Sequence, residues 1–322
     1  MTRIALIGSG YWGKNFARVL AEKNVLAAIC DTNESVAGPI AAKAGVPLIG
    51  AFEQVLEDTS IPALFIATPA ASHYQMVRSA LLAGKDVFVE KPLALDAAEA
   101  LELADFAQRG GRILMIGHLL HYHPCFQRIV EMVGAGELGT LSYIHSHRLN
   151  FGKLRREENV VWSFAPHDVS MILALASEAP SQVRAFAQTT LQPGIADTAT
   201  IQMAFPSGLR AHVLVSWLNP FKEQKLVVTG DKAMLVFDDT LPWADKLVLY
   251  RHRVGWQDDT PVAEKANAEK ITVLEGEPLS AEVDHFLSCV ADRSQPRTDA
   301  AEAVRVLTVL TRAQASIDWE AQ

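Results

Sequence analysis

The chain has 322 residues, 49% apolar and 20% charged, with a formal net charge of −8. That composition suits a soluble protein of about two domains that buries its own core without a disulfide or metal staple, and its acidity argues against nucleic acid or an anionic membrane as the partner. Cys30, Cys125 and Cys289 stand too far apart for a disulfide framework or a metal-ligand pattern, no apolar run approaches the ~20 residues that span a bilayer, and the run from Arg3 to Ile7 leaves no room for a secretory leader, so a cytoplasmic protein is expected.

The first ~120 residues alternate short apolar runs with helical patterns. Strands are expected at Ile4–Ile7, Val25–Cys30, Ala63–Ala67, Asp86–Val89 and Ile113–Ile116. Helices are expected near Trp12–Glu22, Ser35–Ala44, His73–Ala83 and Ala97–Gln108. Strands this continuously apolar belong in a parallel sheet covered on both faces, which predicts a doubly wound α/β domain over residues 1–120.

The pattern changes after Gly117. A helix near Pro124–Val133 precedes strand-like runs at Leu141–Leu149, Val183–Thr190, Thr198–Phe205, Leu209–Trp217, Lys225–Thr229, Met234–Asp238 and Leu247–Arg251. Turn signals such as Pro206-Ser207-Gly208 and Gly230-Asp231-Lys232 separate several of them. This predicts a second α/β domain over residues 121–322, built on an open, mostly antiparallel sheet. Helices are expected at His167–Ala176, Leu279–Ala291 and Ala300–Ile317.

Directly after the first strand comes Gly8-Ser9-Gly10-Tyr11-Trp12-Gly13, a G-x-G-x-x-G that opens a helix. Gly8 makes the tight turn, Gly10 admits a pyrophosphate to the backbone, and Gly13 lets helix and strand pack closely. Asp31 follows about 20 residues on, at the end of the second strand, where a carboxylate accepts from a ribose 2′-hydroxyl and repels a 2′-phosphate. Thr32, Asn33 and Glu34 bring no basic group to offset that repulsion, so the expected cofactor is NAD rather than NADP.

Glu90-Lys91-Pro92 places a charged pair at the carboxyl end of a buried strand, the edge at which open α/β sheets bind ligands. A lysine there can orient a hydroxyl and favour its deprotonation, and a surface ion pair before a proline turn has the same spacing. The ordered set of the glycine fingerprint, Ala67-Thr68-Pro69 with His73, Glu90-Lys91-Pro92, and Pro166-His167-Asp168 resembles the glucose-fructose oxidoreductase/inositol dehydrogenase (Gfo/Idh/MocA) family from Arg3 to about Ile317. The resemblance implies a Rossmann domain, a second domain whose open sheet faces the active site, a substrate pocket between the two, and a homodimer or homotetramer joined through that sheet. It implies Lys91 as the catalytic lysine and His167 as general base or proton relay. Thr68, Pro69, His73 and Glu90 would line the cofactor cleft with Tyr11 and Trp12. Many relatives carry Asp four residues before the histidine, where this chain has Ser163, which leaves either Lys91 with His167 alone or a substrate carboxylate in the vacated space, and argues against the inositol dehydrogenase branch.

The stretch from His147 to Arg156 is strongly basic within an acidic protein. Arg148, Asn150, Lys153, Arg155 and Arg156, with Trp162 and Ser163, are candidate substrate contacts, since several arginines together hold a doubly anionic ligand. A solvated strand end balanced by Glu157 and Glu158 accounts for the same charges. These segments together look like a bacterial nucleotide-sugar branch of the family, similar to the dehydrogenases that oxidise UDP-N-acetylglucosaminuronate at carbon 3 for surface-polysaccharide assembly. The expected function is therefore an NAD-dependent dehydrogenase of a sugar or nucleotide sugar; oxidation of a free sugar or inositol, or a non-catalytic NAD-binding sensor, are the alternatives. His118, His121 and His123 lack carboxylates in register, and no metal is assigned.

Overall fold

The structure, a computed structural model, describes residues 2–152 and 154–320. The chain divides into two compact units, the first running to Tyr122 and taking in Glu277–Leu307, the second comprising His123–Gly276 and the chain from Thr308.

In the first unit six strands form one parallel sheet in the order β3-β2-β1-β4-β5-β6. They are β1 (Ile4–Ile7), β2 (Leu26–Cys30), β3 (Leu48–Ile49), β4 (Ala63–Ile66), β5 (Asp86–Glu90) and β6 (Leu114–Gly117). Helices α1 (Tyr11–Glu22), α2 (Glu34–Ala44), α3 (Phe52–Glu57), α4 (His73–Leu82) and α5 (Ala97–Gly110) connect them. Every residue of β1, β4, β5 and β6 is buried, as strands covered on both faces require. Among the strands and α-helices up to Tyr122, β3 and α3 escape the sequence pattern. A two-residue strand between Pro47 and Gly50 is too short to show any period.

The core of this unit is aromatic. Phe65 stacks on Phe88 with ring centroids 4.4 Å apart, and Phe16 meets both edge-on. The fourth ring is Phe286, 5.1 Å from Phe65, and it comes from far down the chain. The sequence pattern assigns residues 277–307 to the second domain, but they pack here for a physical reason. Helix α8 (Pro278–Asp292) supplies Phe286, Arg293 holds the buried Asp86 with both Nη atoms at 2.7 and 2.9 Å, and Thr298 exchanges two hydrogen bonds with Ile116.

The second unit is an eight-stranded sheet in the order β16-β13-β12-β11-β7-β10-β9-β8. Its strands are β7 (Leu141–Phe151), β8 (Gln182–Gln188), β9 (Thr198–Ala204), β10 (Arg210–Ser216), β11 (Leu218–Gly230), β12 (Met234–Asp238), β13 (Leu247–Tyr250) and β16 (Ala268–Lys270). All pairs are antiparallel except β7 with β10. Helix α6 (Pro124–Gly134) leads into this unit, and α9 (Ala300–Glu320) ends the described chain. A separate hairpin, β14 (Arg253–Gln257) and β15 (Thr260–Glu264), turns through Asp258 and Asp259, both at positive φ. Nearly all its residues are exposed, so it has no buried face and hence no alternation for sequence to reveal.

Helix α7 (Val160–Ala176) packs on this sheet and starts seven residues earlier than its pattern suggests. Asn159 caps it, its side chain accepting from the N–H groups of Val161 and Trp162. Pro166 reads as a helix start, yet it sits inside α7, where it forfeits one backbone bond and the helix continues. His167 is therefore a mid-helix residue rather than an N-terminal one. Buried apolar residues on α7 (Val169, Ile172, Leu175) hold it in place.

Candidate active site

The first unit carries the dinucleotide fingerprint in the geometry that its glycines require. Gly8 has φ +88°, and a Cβ there would lie 2.8 Å from the Ala67 carbonyl oxygen. A Cβ on Gly13 would lie 2.1 Å from the Gly8 carbonyl oxygen, so α1 and the turn touch backbone to backbone. Gly10 differs, because a Cβ there would meet no protein atom within 4 Å. The space it keeps clear opens at the N-terminus of α1, where unpaired N–H groups and the helix dipole favour an anion.

Beside this turn lies a cavity of about 370 Å³. Gly8, Gly10, Asp31, Thr68 and Pro69, five of the eleven cofactor residues expected from sequence, line it together with Ser9, whereas Tyr11, Trp12, Gly13, His73, Glu90 and Lys91 do not. Cys30, Val36, Phe52 and Met76 line it as well and were not anticipated. They supply apolar walls suited to a flat purine ring, but their only sequence signal is proximity to Asp31, to the short β3–α3 segment or, for Met76 on α4, to His73. A cavity of this size and lining fits the adenosine half of a dinucleotide.

Asp31 is held from several directions. Its Oδ2 accepts from the backbone N–H of Ser9 at 2.7 Å and from the Ser9 hydroxyl at 2.5 Å, while Oδ1 accepts from the N–H of Asn33 at 2.8 Å. Burial alone would raise this carboxyl, but these hydrogen bonds carry it below its ordinary value, so it is an anion at neutral pH. Tyr11 and Trp12 stand on the first turn of α1: Tyr11 is exposed and Trp12 packs partly into the core.

At the carboxyl end of β5, Glu90 is buried and its Oε2 accepts from the Lys91 N–H at 3.1 Å. Burial pushes the Glu90 carboxyl up to about 7, although Lys91, its N–H and His118 pull the other way. Gly117 of β6, opposite Glu90, makes room for this carboxyl, since a Cβ there would come 3.3 Å from it. Lys91 is half-buried. His73 is fully buried and joins two loops, with Nδ1 2.7 Å from the Pro92 carbonyl and Nε2 2.9 Å from the Thr68 carbonyl. Burial holds its ring below the ordinary histidine value. It thus braces Thr68-Pro69 against Lys91-Pro92. Beyond β6, His118 Nδ1 contacts the buried Glu302 at 2.5 Å.

In the second unit Ser163 and His167 lie one turn apart on α7 and therefore share a face. The neighbouring Asp168, 1% exposed, receives Arg148 through Nε at 2.6 Å and Nη2 at 3.3 Å, and the Ser146 hydroxyl at 2.5 Å. Arg148 is thus committed to a buried protein carboxylate. Arg155 is paired with Glu158 at 3.0 Å, Arg156 is exposed, and Lys153 lies outside the described residues. The Trp162 indole donates to Gln314 at 3.2 Å. The Asn150 side chain folds over Gly152, where a Cβ would meet it at 2.5 Å. Among the described residues no group of His, Cys, Asp or Glu is placed to hold a metal ion, and no helix is long and apolar enough to cross a membrane.

Comparison with known proteins agrees with this geometry. Residues 2–118 match an oxidoreductase family with an NAD-binding Rossmann fold, and residues 126–236 match the GFO/IDH/MocA C-terminal domain. UDP-N-acetylglucosamine 3-dehydrogenase of Acidithiobacillus ferrooxidans is 26% identical over 98% of this chain and 97% of its own. A solved structure of that enzyme superimposes with a TM-score of 0.88 at 25% identity, covering 99% and 98% of the two chains. D-xylose 1-dehydrogenase (NADP(+)) 2 of Haloferax volcanii is 27% identical over 91% of this chain and 89% of its own.

Proposed function

Because the chain belongs to the GFO/IDH/MocA family of NAD-binding oxidoreductases, we propose that it is a dehydrogenase that oxidises the carbon-3 hydroxyl of a UDP-linked N-acetylhexosamine. The observation that carries the substrate is the end-to-end similarity to UDP-N-acetylglucosamine 3-dehydrogenase, in sequence and in fold. The oxidoreductase family, together with the retained Glu90-Lys91-Pro92, favours an enzyme over an NAD-binding sensor.

When bound, NAD supplies the acceptor for the carbon-bound hydride. The Lys91 ammonium donates to the reacting oxygen and stabilises the charge that develops there as its proton leaves. His167 accepts that proton, and loss of the proton together with the carbon-bound hydride leaves a ketone at carbon 3. Glu90 supplies the countercharge that keeps Lys91 in place. Thr68, Pro69 and the fingerprint glycines hold the dinucleotide, and Asp31 accepts from its ribose.

A second reading, the corresponding hexuronic acid, is favoured by one observation. Ser163 puts an uncharged group one helical turn from His167, which opposes no substrate carboxylate. Against it, Arg148 and Arg155 already pair with Asp168 and Glu158. The deciding assay follows NADH formation with UDP-N-acetylglucosamine, UDP-N-acetylglucosaminuronate, inositol, xylose and glucose. Turnover of UDP-N-acetylglucosamine above the uronate is expected. Preference for the uronate would select the second reading, and turnover of only the free sugars or inositol would remove both.

A further inference from the structure

Ser9 occupies the first variable position of the glycine fingerprint, where neither the turn nor the helix start requires a hydroxyl. Nevertheless its side chain is 1% exposed, and both of its donors go to one atom, Asp31 Oδ2. Asn33 N–H donates to the other oxygen, Oδ1, at 2.8 Å, and Asn33 is itself fixed as the cap of α2 through Val36 N–H and Ser35. The carboxylate is thus clamped at both oxygens by groups belonging to two separate helix starts. Ser9 and Asp31 line the same cavity.

An aspartate at a strand end ordinarily has more than one staggered rotamer available, and discrimination depends on which one it keeps. A mobile carboxylate could swing away from a 2′-phosphate and so admit NADP. A clamped one could not, and it would meet a ribose hydroxyl without losing further rotamer freedom. With Oδ2 already accepting two protein donors, the ligand hydroxyl is left to Oδ1.

We infer that Ser9 is a positioning residue for dinucleotide choice: its hydroxyl locks the Asp31 carboxylate in the orientation that accepts NAD and rejects NADP. This rests on the assignment of Asp31 as the ribose acceptor. Ser9 touches no part of the reacting carbon and acts only through Asp31.

The test is calorimetric titration of the full-length protein with NAD and with NADP, alongside a melting curve for each variant. In Ser9→Ala the NADP-to-NAD ratio of dissociation constants should fall by about tenfold, the scale of one hydrogen bond to a charged group. Ser9→Gly, which keeps the N–H donor and removes the same hydroxyl, should do likewise. In an Asp31→Ala background, removal of the Ser9 hydroxyl should leave the ratio where Asp31→Ala alone puts it, because the two residues act as one unit. An unchanged ratio in either folded serine variant overturns the inference. So does an equal effect with and without Asp31, or collapse of both variants, since each assigns the hydroxyl to structure. Equal binding of the two dinucleotides by the unaltered protein would instead remove the Asp31 assignment itself.

Discussion

Arg148 closes on Asp168 through two nitrogens, at 2.6 and 3.3 Å, on a carboxylate that is 1% exposed and also bonded to Ser146. The pair ties β7 to α7 immediately beside His167. The carboxylate is satisfied on both oxygens by these contacts.

Removing one member of a buried pair leaves the other as an uncompensated charge. Arg148→Ala should therefore destabilise the protein by about 3–5 kcal/mol, seen as a lower urea midpoint. Replacing both residues together, Arg148→Met with Asp168→Asn, should cost less than Arg148→Ala alone. An unchanged midpoint with a raised Michaelis constant would return Arg148 to the substrate.

Gly10 and Gly13 should separate binding from folding. Gly13→Ala places a Cβ 2.1 Å from a backbone oxygen that cannot move without distorting the turn. A stability loss above about 2 kcal/mol is expected, in the range reserved for core overpacking and backbone strain. Gly10→Ala meets no protein atom, so its melting temperature should stay near that of the unaltered protein while NAD affinity falls. Full NAD affinity in Gly10→Ala would place the pyrophosphate elsewhere.

Glu90 predicts a pH signature. Its carboxyl titrates near 7 when folded and near the ordinary glutamate value when unfolded, with burial as the main cause. Between those values the folded state binds more protons than the unfolded state, so Glu90 lowers stability as pH rises through that window. Glu90→Gln should remove this slope: its melting temperature should match the unaltered protein at pH 4.5 and exceed it at pH 8. Parallel pH profiles for the two proteins would count against it. Turnover should fall in the same variant, because Lys91 loses its countercharge.

Lys91 and His167 should differ in how they are rescued. Lys91→Ala should cut turnover by ~10²–10⁴-fold, the usual worth of proton-transfer help, with little change in NAD affinity. His167→Ala should lose turnover and regain part of it with added imidazole, as a missing base is replaced from solution. Wild-type turnover in Lys91→Ala would mean that the reacting hydroxyl lies elsewhere.

The sequence alone determined the parallel sheet, the glycine turn, Asp31 at the end of β2 and Glu90-Lys91-Pro92 at the end of β5, and it carried the family through those motifs. Each is a short-range pattern: a period of apolar residues, or a spacing that fixes backbone geometry over a few positions, and such patterns survive without knowledge of the partner. Tertiary structure decided the rest. Arg148 looks like a free cation in the chain, and only the register of β7 against α7 shows that it is spent on Asp168. Ser9 looks like filler between two glycines until the turn is folded onto β2 and its hydroxyl reaches Asp31. Residues 277–307 read as part of the second domain, and contacts such as Phe286 in the aromatic core, Arg293 on Asp86 and Thr298 on Ile116 place them in the first. In each case the deciding interaction joins residues that are neighbours in space and not in sequence. Its energy depends on burial and distance, which no spacing along the chain encodes.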